Sequence, residues 1–141
     1  MNARDLIGKA SRAAVSARLL LDAGDVNGAC NRAYYAMFDA ARAALIESGA
    51  PVQPEVGRTH GGLISAFSLH LVKTGQVPIE YGKALNKVAE IRLIADYTED
   101  EVTAETAKWA VEQAVEFIEA MQRAFAPLEM NEGPRSGPKP V

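Results

Sequence analysis

Apolar residues recur at helical spacing along most of the chain. In the first segment Leu6, Ile7, Ala10 and Ala14 fall on one face, and charged residues lie mostly between them. This is the pattern of an amphipathic helix, and no stretch alternates apolar and polar residues as a half-buried strand would. The sequence therefore predicts an all-α protein, with helices over residues 3–22, 26–48, 56–72, 78–97 and 103–125.

Short breaks separate these segments. Asp25 is a good N-cap for the second helix, and Gly49 with Pro51 ends it. Pro78 suits the first turn of the fourth helix, and Thr103 can cap the fifth. Because short connections favour antiparallel neighbours, we predict an up-and-down bundle of four long helices and a shorter one.

The end of the chain has a different composition. Residues 127–141 hold four of the seven prolines and have no apolar period. We therefore predict one helical domain over residues 1–126, followed by a flexible Pro/Gly-rich tail over 127–141.

Charge and cysteine content exclude several classes of protein. A formal net charge of −3 gives no general attraction for nucleic acid or an anionic membrane, so any RNA contact must come from a local patch. The single cysteine, Cys30, cannot form an intrachain disulfide and is interpreted as a buried packing residue. No apolar run approaches the roughly 20 residues of a membrane span. We expect a cytoplasmic protein without membrane contact.

The segment "NRAYYAMFDAAR" places charges among aromatic residues. Arg32 and Asp39 are seven residues apart and share a helical face, with Tyr35 between them. Asp39 also has Arg42 at i+3, which is the spacing of an ordinary surface ion pair. Two interpretations stay open, a structural ion pair and a functional site.

Two other segments could carry chemistry. In "RTH", His60 follows Arg58 at a helix start, where free N–H groups favour anions, so it could bind phosphate or transfer protons. It could also merely cap the turn. Arg92 and Asp96, at i and i+4, could with Tyr97 complete a polar network around Arg32, with or without chemistry. No metal-ligand spacing or phosphate-binding glycine loop occurs, so we expect no metal and no cofactor.

Four segments, taken together and in order, resemble the small stand-alone bacterial branch of HEPN-domain proteins. They are "NRAYYAMFDAARAALIESG", "GRTHGGLISAF", "VKTGQVPIEYGKALNKV" and "EIRLIADY", and the resemblance covers about residues 5 to 125. It implies a helical bundle that commonly forms homodimers and is often encoded beside a minimal nucleotidyltransferase as a toxin–antitoxin pair. Many active members of the family are metal-independent endoribonucleases.

The family's ribonuclease signature is an arginine, a spacer of four to six residues and a histidine. Arg32 matches the arginine, but Asp39 stands at the histidine position, and Ala33 replaces the usual polar residue. A histidine there would activate the ribose 2′-hydroxyl or protonate the leaving oxygen. An aspartate titrates near pH ~3.9, so it donates protons poorly at neutral pH and repels phosphate. Arg32 could still bind phosphate and stabilise developing charge.

The resemblance therefore implies a nucleic-acid- or nucleotide-binding module of a toxin–antitoxin type system, with a degraded ribonuclease motif. The alternatives are an active endoribonuclease that uses Arg32 with Asp39 or His60, and a non-catalytic assembly protein. The predicted ligand-binding residues are Asn31, Tyr35, Arg58, Arg92, Asp96 and Tyr97.

A homodimer is also expected from the aromatic residues of the second helix. Tyr34, Tyr35 and Phe38 nearly encircle it, so we expect some of them to reach a partner surface.

Overall fold

A computed structural model describes residues 2–129, and these residues form helices and no strand. The long helices are α1 (Ala3–Asp22), α2 (Val26–Ser48), α4 (Ile79–Tyr97) and α5 (Ala104–Ala124), and the short one is α3 (His60–Phe67). The predicted all-α bundle of four long helices and a shorter one is confirmed. The bounds of α1 and α2 agree with the prediction, α4 begins one residue later than predicted, and α5 is one residue shorter at each end.

The predicted capping residues explain these bounds. The Asp25 carboxylate accepts a hydrogen bond from the Gly28 N–H at 2.9 Å, at the start of α2. Gly49 ends α2 with a φ of 72°, a conformation that side chains disfavour. Thr103 Oγ1 accepts from the Thr106 N–H at 3.1 Å and begins α5.

The third segment differs from the single helix predicted over residues 56–72. It divides into a 3₁₀ turn (Val56–Arg58), the α-helix α3 and a π-helical turn (Ser68–Val72). The first break follows from Thr59, whose extended backbone leaves the helical conformation and whose Oγ1 accepts from the Gly62 N–H at 3.1 Å. A side chain at position 62 would collide with the Val56 carbonyl and the Thr59 hydroxyl, so the glycine permits this tight turn.

Helix α2 lies at the centre of the bundle and packs against α1, α4 and α5. Its buried alanines, which include Ala33, Ala36 and Ala40, let the neighbouring helices approach closely. Because α2 is covered on most sides, only a narrow strip of it remains partly exposed. This strip contains Asn31, Arg32, Tyr35 and Arg42.

The packed part of the chain continues past the predicted domain boundary at residue 126. A 3₁₀ turn covers Ala126–Leu128, and Leu128 is fully buried. The Pro127 carbonyl accepts a hydrogen bond from Arg4 Nη1 at 3.2 Å. Residues 130–141 of the predicted tail lie outside the described residues, so that part of the tail stays a prediction.

Over residues 2–129, none of the helices has both the length and the hydropathy needed to cross a membrane.

Candidate functional site

Three aromatic residues of α2 meet the histidine of α3. The His60 ring centroid lies 5.4 Å from those of Tyr34 and Phe38 and 5.9 Å from that of Tyr35. We call these four residues the aromatic cluster. Tyr34 and Phe38 are buried and Tyr35 is half-buried. Tyr34 and Phe38 thus find their contacts within the chain, and the expectation that an aromatic residue of α2 reaches a partner stays a prediction that now rests on Tyr35.

A short hydrogen bond joins α2 and α3 inside this cluster. Tyr34 Oη lies 2.7 Å from His60 Nδ1. Burial raises the pKa of Tyr34 to about 12, with Arg92 lowering it and Tyr35 raising it further, so the phenol stays protonated. Burial, and then the charge of Arg92, lower the pKa of His60 below its usual 6.5. Both groups are neutral at pH 7, so the direction of the bond depends on the imidazole tautomer. We assign Tyr34 as donor to Nδ1, because a phenol is the stronger donor and an imidazole nitrogen the stronger acceptor, and this leaves the proton of the imidazole on Nε2.

Arg92 of α4 forms the centre of an adjoining polar network. Arg92 is only 6% exposed, and its Nε donates to Asp96 Oδ2 at 2.9 Å. Its Nη2 donates to the hydroxyls of Tyr35 and Tyr97 at 3.3 and 3.2 Å. Asn31 Nδ2 donates to the same Asp96 oxygen at 3.0 Å. We call these five residues the Arg92 network, and it contains the Arg92–Asp96 pair that the sequence predicts.

Arg32 joins these groups through the ring of Tyr35. Its Cζ lies 5.4 Å from the Tyr35 centroid, and the Cζ of Arg92 lies at the same distance from that ring. Arg32 Nε is buried and finds no hydrogen-bond partner within residues 2–129. The predicted network around Arg32 is thus present without a hydrogen bond to Arg32 itself. A buried N–H group without an acceptor is costly. Because Arg32 as a whole is half-buried, an anion can still approach its guanidinium from the exposed side.

Asp39 lies in a different environment, near Arg42 and Lys9. We call these three residues the Asp39 corner. Asp39 is 5% exposed, and Arg42 Nη1 approaches its carboxylate at 3.9 Å, too far for a hydrogen bond. Burial raises its pKa above the usual 3.8, while Lys9, Arg42 and Arg32 oppose that rise. Within the described chain, no hydrogen bond or ion pair connects Asp39 to His60.

The structure therefore brings together some of the predicted site residues and separates others. Arg32, His60 and the Arg92 network meet around Tyr35, whereas no hydrogen bond or ion pair joins Asp39 to them within residues 2–129, although the charge of Arg32 lowers the Asp39 pKa. Arg58 is exposed at the end of the 3₁₀ turn and lines a separate cavity.

Four side chains outside the predicted site residues contribute, and they are Tyr34 and Phe38 of the aromatic cluster and Lys9 and Arg42 of the Asp39 corner. Helical periodicity identifies Tyr34 as a core residue, but its partner His60 follows 26 residues later. No local signal in the sequence connects Lys9 of α1 with Asp39 of α2.

Other chemistry finds no support in the described part of the chain. Residues 2–129 contain no group of three or more His, Cys, Asp or Glu side chains that could hold a metal ion. Cys30 is buried, and burial followed by the charge of Asp96 raises its pKa to about 11. The thiol is therefore protonated at neutral pH, as expected of a packing residue.

Comparison with known proteins identifies the family. Residues 3–124 match the family model described as HEPN domain. The chain belongs to the HEPN family. A UPF0332 protein of Thermotoga maritima is 34% identical over 114 residues, which cover 80% of this chain and 83% of the relative. The UPF0332 protein glr0978 of Gloeobacter violaceus is 34% identical over 94 residues, covering 67% and 71%.

A third HEPN relative has a name that refers to function. The Methanocaldococcus jannaschii protein named "Putative toxin MJ0605" is 32% identical over 110 residues, which cover 78% of each chain. The similarity thus extends over more than three quarters of each chain.

Proposed function

We propose that this HEPN domain binds single-stranded RNA through Arg32 and the aromatic cluster, as the toxin-like component of a toxin–antitoxin type system, and that its ribonuclease motif is degraded. One observation carries the proposal. The half-buried Arg32 places its guanidinium carbon 5.4 Å from the centroid of the Tyr35 ring, and its Nε has no acceptor within residues 2–129.

The chemistry of this surface suits a nucleotide strand. A guanidinium binds phosphate oxygens with charge-assisted hydrogen bonds, and aromatic rings stack on bases without regard to sequence. Tyr35 is half-buried and Tyr97 is 69% exposed, so both rings offer surface beside the two arginines. Because the chain carries a net charge of −3, this local arrangement must supply the attraction for the strand.

Weak catalysis is expected from the state of the two candidate proton-transfer groups. Asp39 is buried beside Arg42 and has no hydrogen bond or ion pair with His60 within residues 2–129. A general acid or base must reach the reacting oxygen in the correct protonation state. Burial keeps Asp39 from reaching it, and with Tyr34 donating to Nδ1 the neutral His60 carries its proton on Nε2 and has no free nitrogen to act as a base, so we propose binding as the main activity.

A ribonuclease activity is the second candidate. It is favoured by the contact of both Arg32 and His60 with the ring of Tyr35, which would let one phosphodiester lie near both side chains. The name of the M. jannaschii relative is also consistent with a toxin.

The proposed assembly is a homodimer that can pair with a minimal nucleotidyltransferase. The support for the dimer is the outer face of α4, where Leu93, Ile94 and Tyr97 are exposed next to the Arg92 network. A second copy on this face would extend the RNA-binding surface. Light scattering should give twice the 15.1 kDa chain mass, and Leu93→Glu with Ile94→Glu should give the mass of a single chain.

The RNA proposal can be tested with a fluorescein-labelled single-stranded RNA in an anisotropy titration. Arg32→Gln should weaken binding roughly tenfold and reduce the slope of log affinity against log salt by about 0.7, the value for one phosphate contact. Arg12→Gln is the matched control, because Arg12 is an exposed arginine of α1 outside the cluster. Equal affinities of Arg32→Gln and wild type would contradict the proposal.

The same RNA, incubated in EDTA, tests the second candidate. Rapid cleavage by wild type that disappears in both Arg32→Gln and His60→Gln would identify a metal-independent ribonuclease.

A further inference from the structure

A cavity separate from the aromatic cluster lies between the C-terminal half of α2 and the loop that leads to α3. Its volume is about 390 Å³, within the range of about 300 to 1,000 Å³ typical of small-molecule sites. Its apolar wall contains Leu45, Ile46, Val52 and Leu63. Leu45 and Leu63 are buried, so the wall belongs to the core of the bundle.

The charged residues that line this cavity have one sign. They are Arg42 and Arg58, and no aspartate or glutamate is among the lining residues. Arg58 is exposed, and the nearest approach of Arg42 to an acid is the 3.9 Å contact with Asp39, which is too long for a hydrogen bond. Both guanidinium groups can therefore donate hydrogen bonds to a further anion.

We propose that this cavity is a binding site for a small ligand that has an apolar body and a carboxylate or phosphate group. The apolar body would displace water from the wall formed by Leu45, Val52 and Leu63. The anionic group would lie between Arg42 and Arg58, where planar guanidinium groups bind carboxylate and phosphate oxygens in pairs. This proposal does not depend on RNA binding, because Arg32, Tyr35 and His60 do not line the cavity.

Three naphthalene compounds test the inference, and they differ in one substituent. Naphthalene-1-carboxylate and 1-naphthyl phosphate carry the anion, and naphthalene-1-carboxamide is the neutral control. In calorimetric titrations of the full chain, at least one anion should bind saturably and at least about tenfold more tightly than the carboxamide. Binding of only one anion would assign the site to that chemistry, and binding of both would assign it to anions in general. Equal binding of the carboxamide, or no saturable binding, would overturn the proposal.

Protein variants locate the site. Arg58→Gln and Arg42→Gln should each weaken binding of the anion at least about tenfold, and Arg12→Gln should not. Methyl NMR spectra should show shifts at Leu45, Val52 and Leu63. Arg58 is exposed in a loop, so Arg58→Gln should retain the wild-type melting temperature, which circular dichroism checks. Unchanged affinity in both arginine variants, or shifts confined to other methyl groups, would overturn the assignment. Arg32→Gln should bind the naphthalene anion as wild type does, whatever its effect on RNA binding, because Arg32 does not line the cavity.

Discussion

The Arg92 network and the Asp39 corner both hold a carboxylate and an arginine in or near the bundle, but they differ in how well those charges are paired. Arg92 makes hydrogen bonds to Asp96, Tyr35 and Tyr97 at 2.9 to 3.3 Å. Asp39 is about as buried as Arg92, but the Nη1 atom of Arg42 lies 3.9 Å from its carboxylate. Hydrogen bonds therefore offset the cost of burying the charge of Arg92, whereas the cost of burying the charge of Asp39 is largely not offset.

The difference in pairing suggests that the Arg92 network stabilises the fold and that the Asp39 carboxylate does not. Buried charges with full hydrogen-bond partners fix the geometry of a fold, and removing one partner is costly. A buried carboxylate that lacks such partners lowers stability, and groups of this kind cluster at functional sites. We infer from the sequence resemblance that Asp39 stands where an active HEPN ribonuclease would have a histidine. We therefore expect substitutions in the two regions to have opposite effects on stability.

The largest expected effect is on catalysis, through Asp39→His. If the imidazole restores proton transfer beside Arg32, cleavage of single-stranded RNA in EDTA should rise by roughly 10²- to 10⁴-fold, the usual contribution of one positioned acid or base. Initial rates by gel electrophoresis would measure it. Asp39→Asn serves as the control, since it changes the charge without supplying a proton-transfer group.

Two results would change the interpretation of the Asp39 corner. Efficient cleavage by wild type that is lost in Asp39→Asn would mean that the aspartate itself transfers protons. Loss of wild-type cleavage only in His60→Ala would assign that role to the aromatic cluster.

The next largest effect is on stability, through Arg92→Ala. This substitution removes the donor to the Tyr35 and Tyr97 hydroxyls and leaves Asn31 as the donor to Asp96, so the free energy of unfolding should fall by roughly 2 kcal/mol. Urea denaturation followed by circular dichroism would measure it, with exposed Arg12→Ala as the control. A loss below about 1 kcal/mol would show that the network contributes little to the fold.

Asp39→Asn should do the opposite and raise stability at pH 7. The folded-state pKa of Asp39 is raised above 3.8, so the stability it contributes is present below 3.8 and is lost as the pH rises through the folded-state value. The asparagine does not titrate. The melting temperature of the Asp39→Asn variant should therefore exceed that of wild type by a few degrees at pH 7. The two melting temperatures should converge below pH 3.8. A lower melting temperature at pH 7 would mean that Lys9 and Arg42 compensate the charge fully.

The smallest effect tests the direction of the Tyr34–His60 hydrogen bond. If Tyr34 donates to Nδ1, the bond favours the neutral imidazole, and Tyr34→Phe should raise the pKa of His60 toward its usual 6.5. An NMR titration of the His60 ring protons would measure the change, with His70 as internal reference. A fall in the pKa would show that the imidazole donates instead.

The fold could be predicted from sequence because its signals are local. Asp25, Gly49 and Thr103 act on backbone groups within a few residues, so the ends of α2 and α5 follow from the sequence. The third segment could not be predicted, because its apolar period runs through the break at Thr59.

The site was predictable only where its contacts lie on one helix. The i, i+4 spacing identified the Arg92–Asp96 pair, whereas the Tyr34–His60 hydrogen bond depends on how α2 and α3 pack. The same packing placed the aromatics of α2 inside the chain. The charge interaction of Lys9 with Asp39 likewise joins α1 and α2 and has no local signal.

The π-helical turn at Ser68–Val72 has a consequence for how this chain aligns with its relatives. A π turn accommodates more residues than an α turn, so this stretch carries about one residue more than a regular helix would need to reach the same point. Buried Phe67 precedes the turn, and a hydrogen bond from Val77 N–H to the Leu71 carbonyl at 3.0 Å secures the chain after it. A relative that is one residue shorter in this region should therefore place its gap within residues 68–72, and keep the equivalents of Phe67 and Val77 in the core.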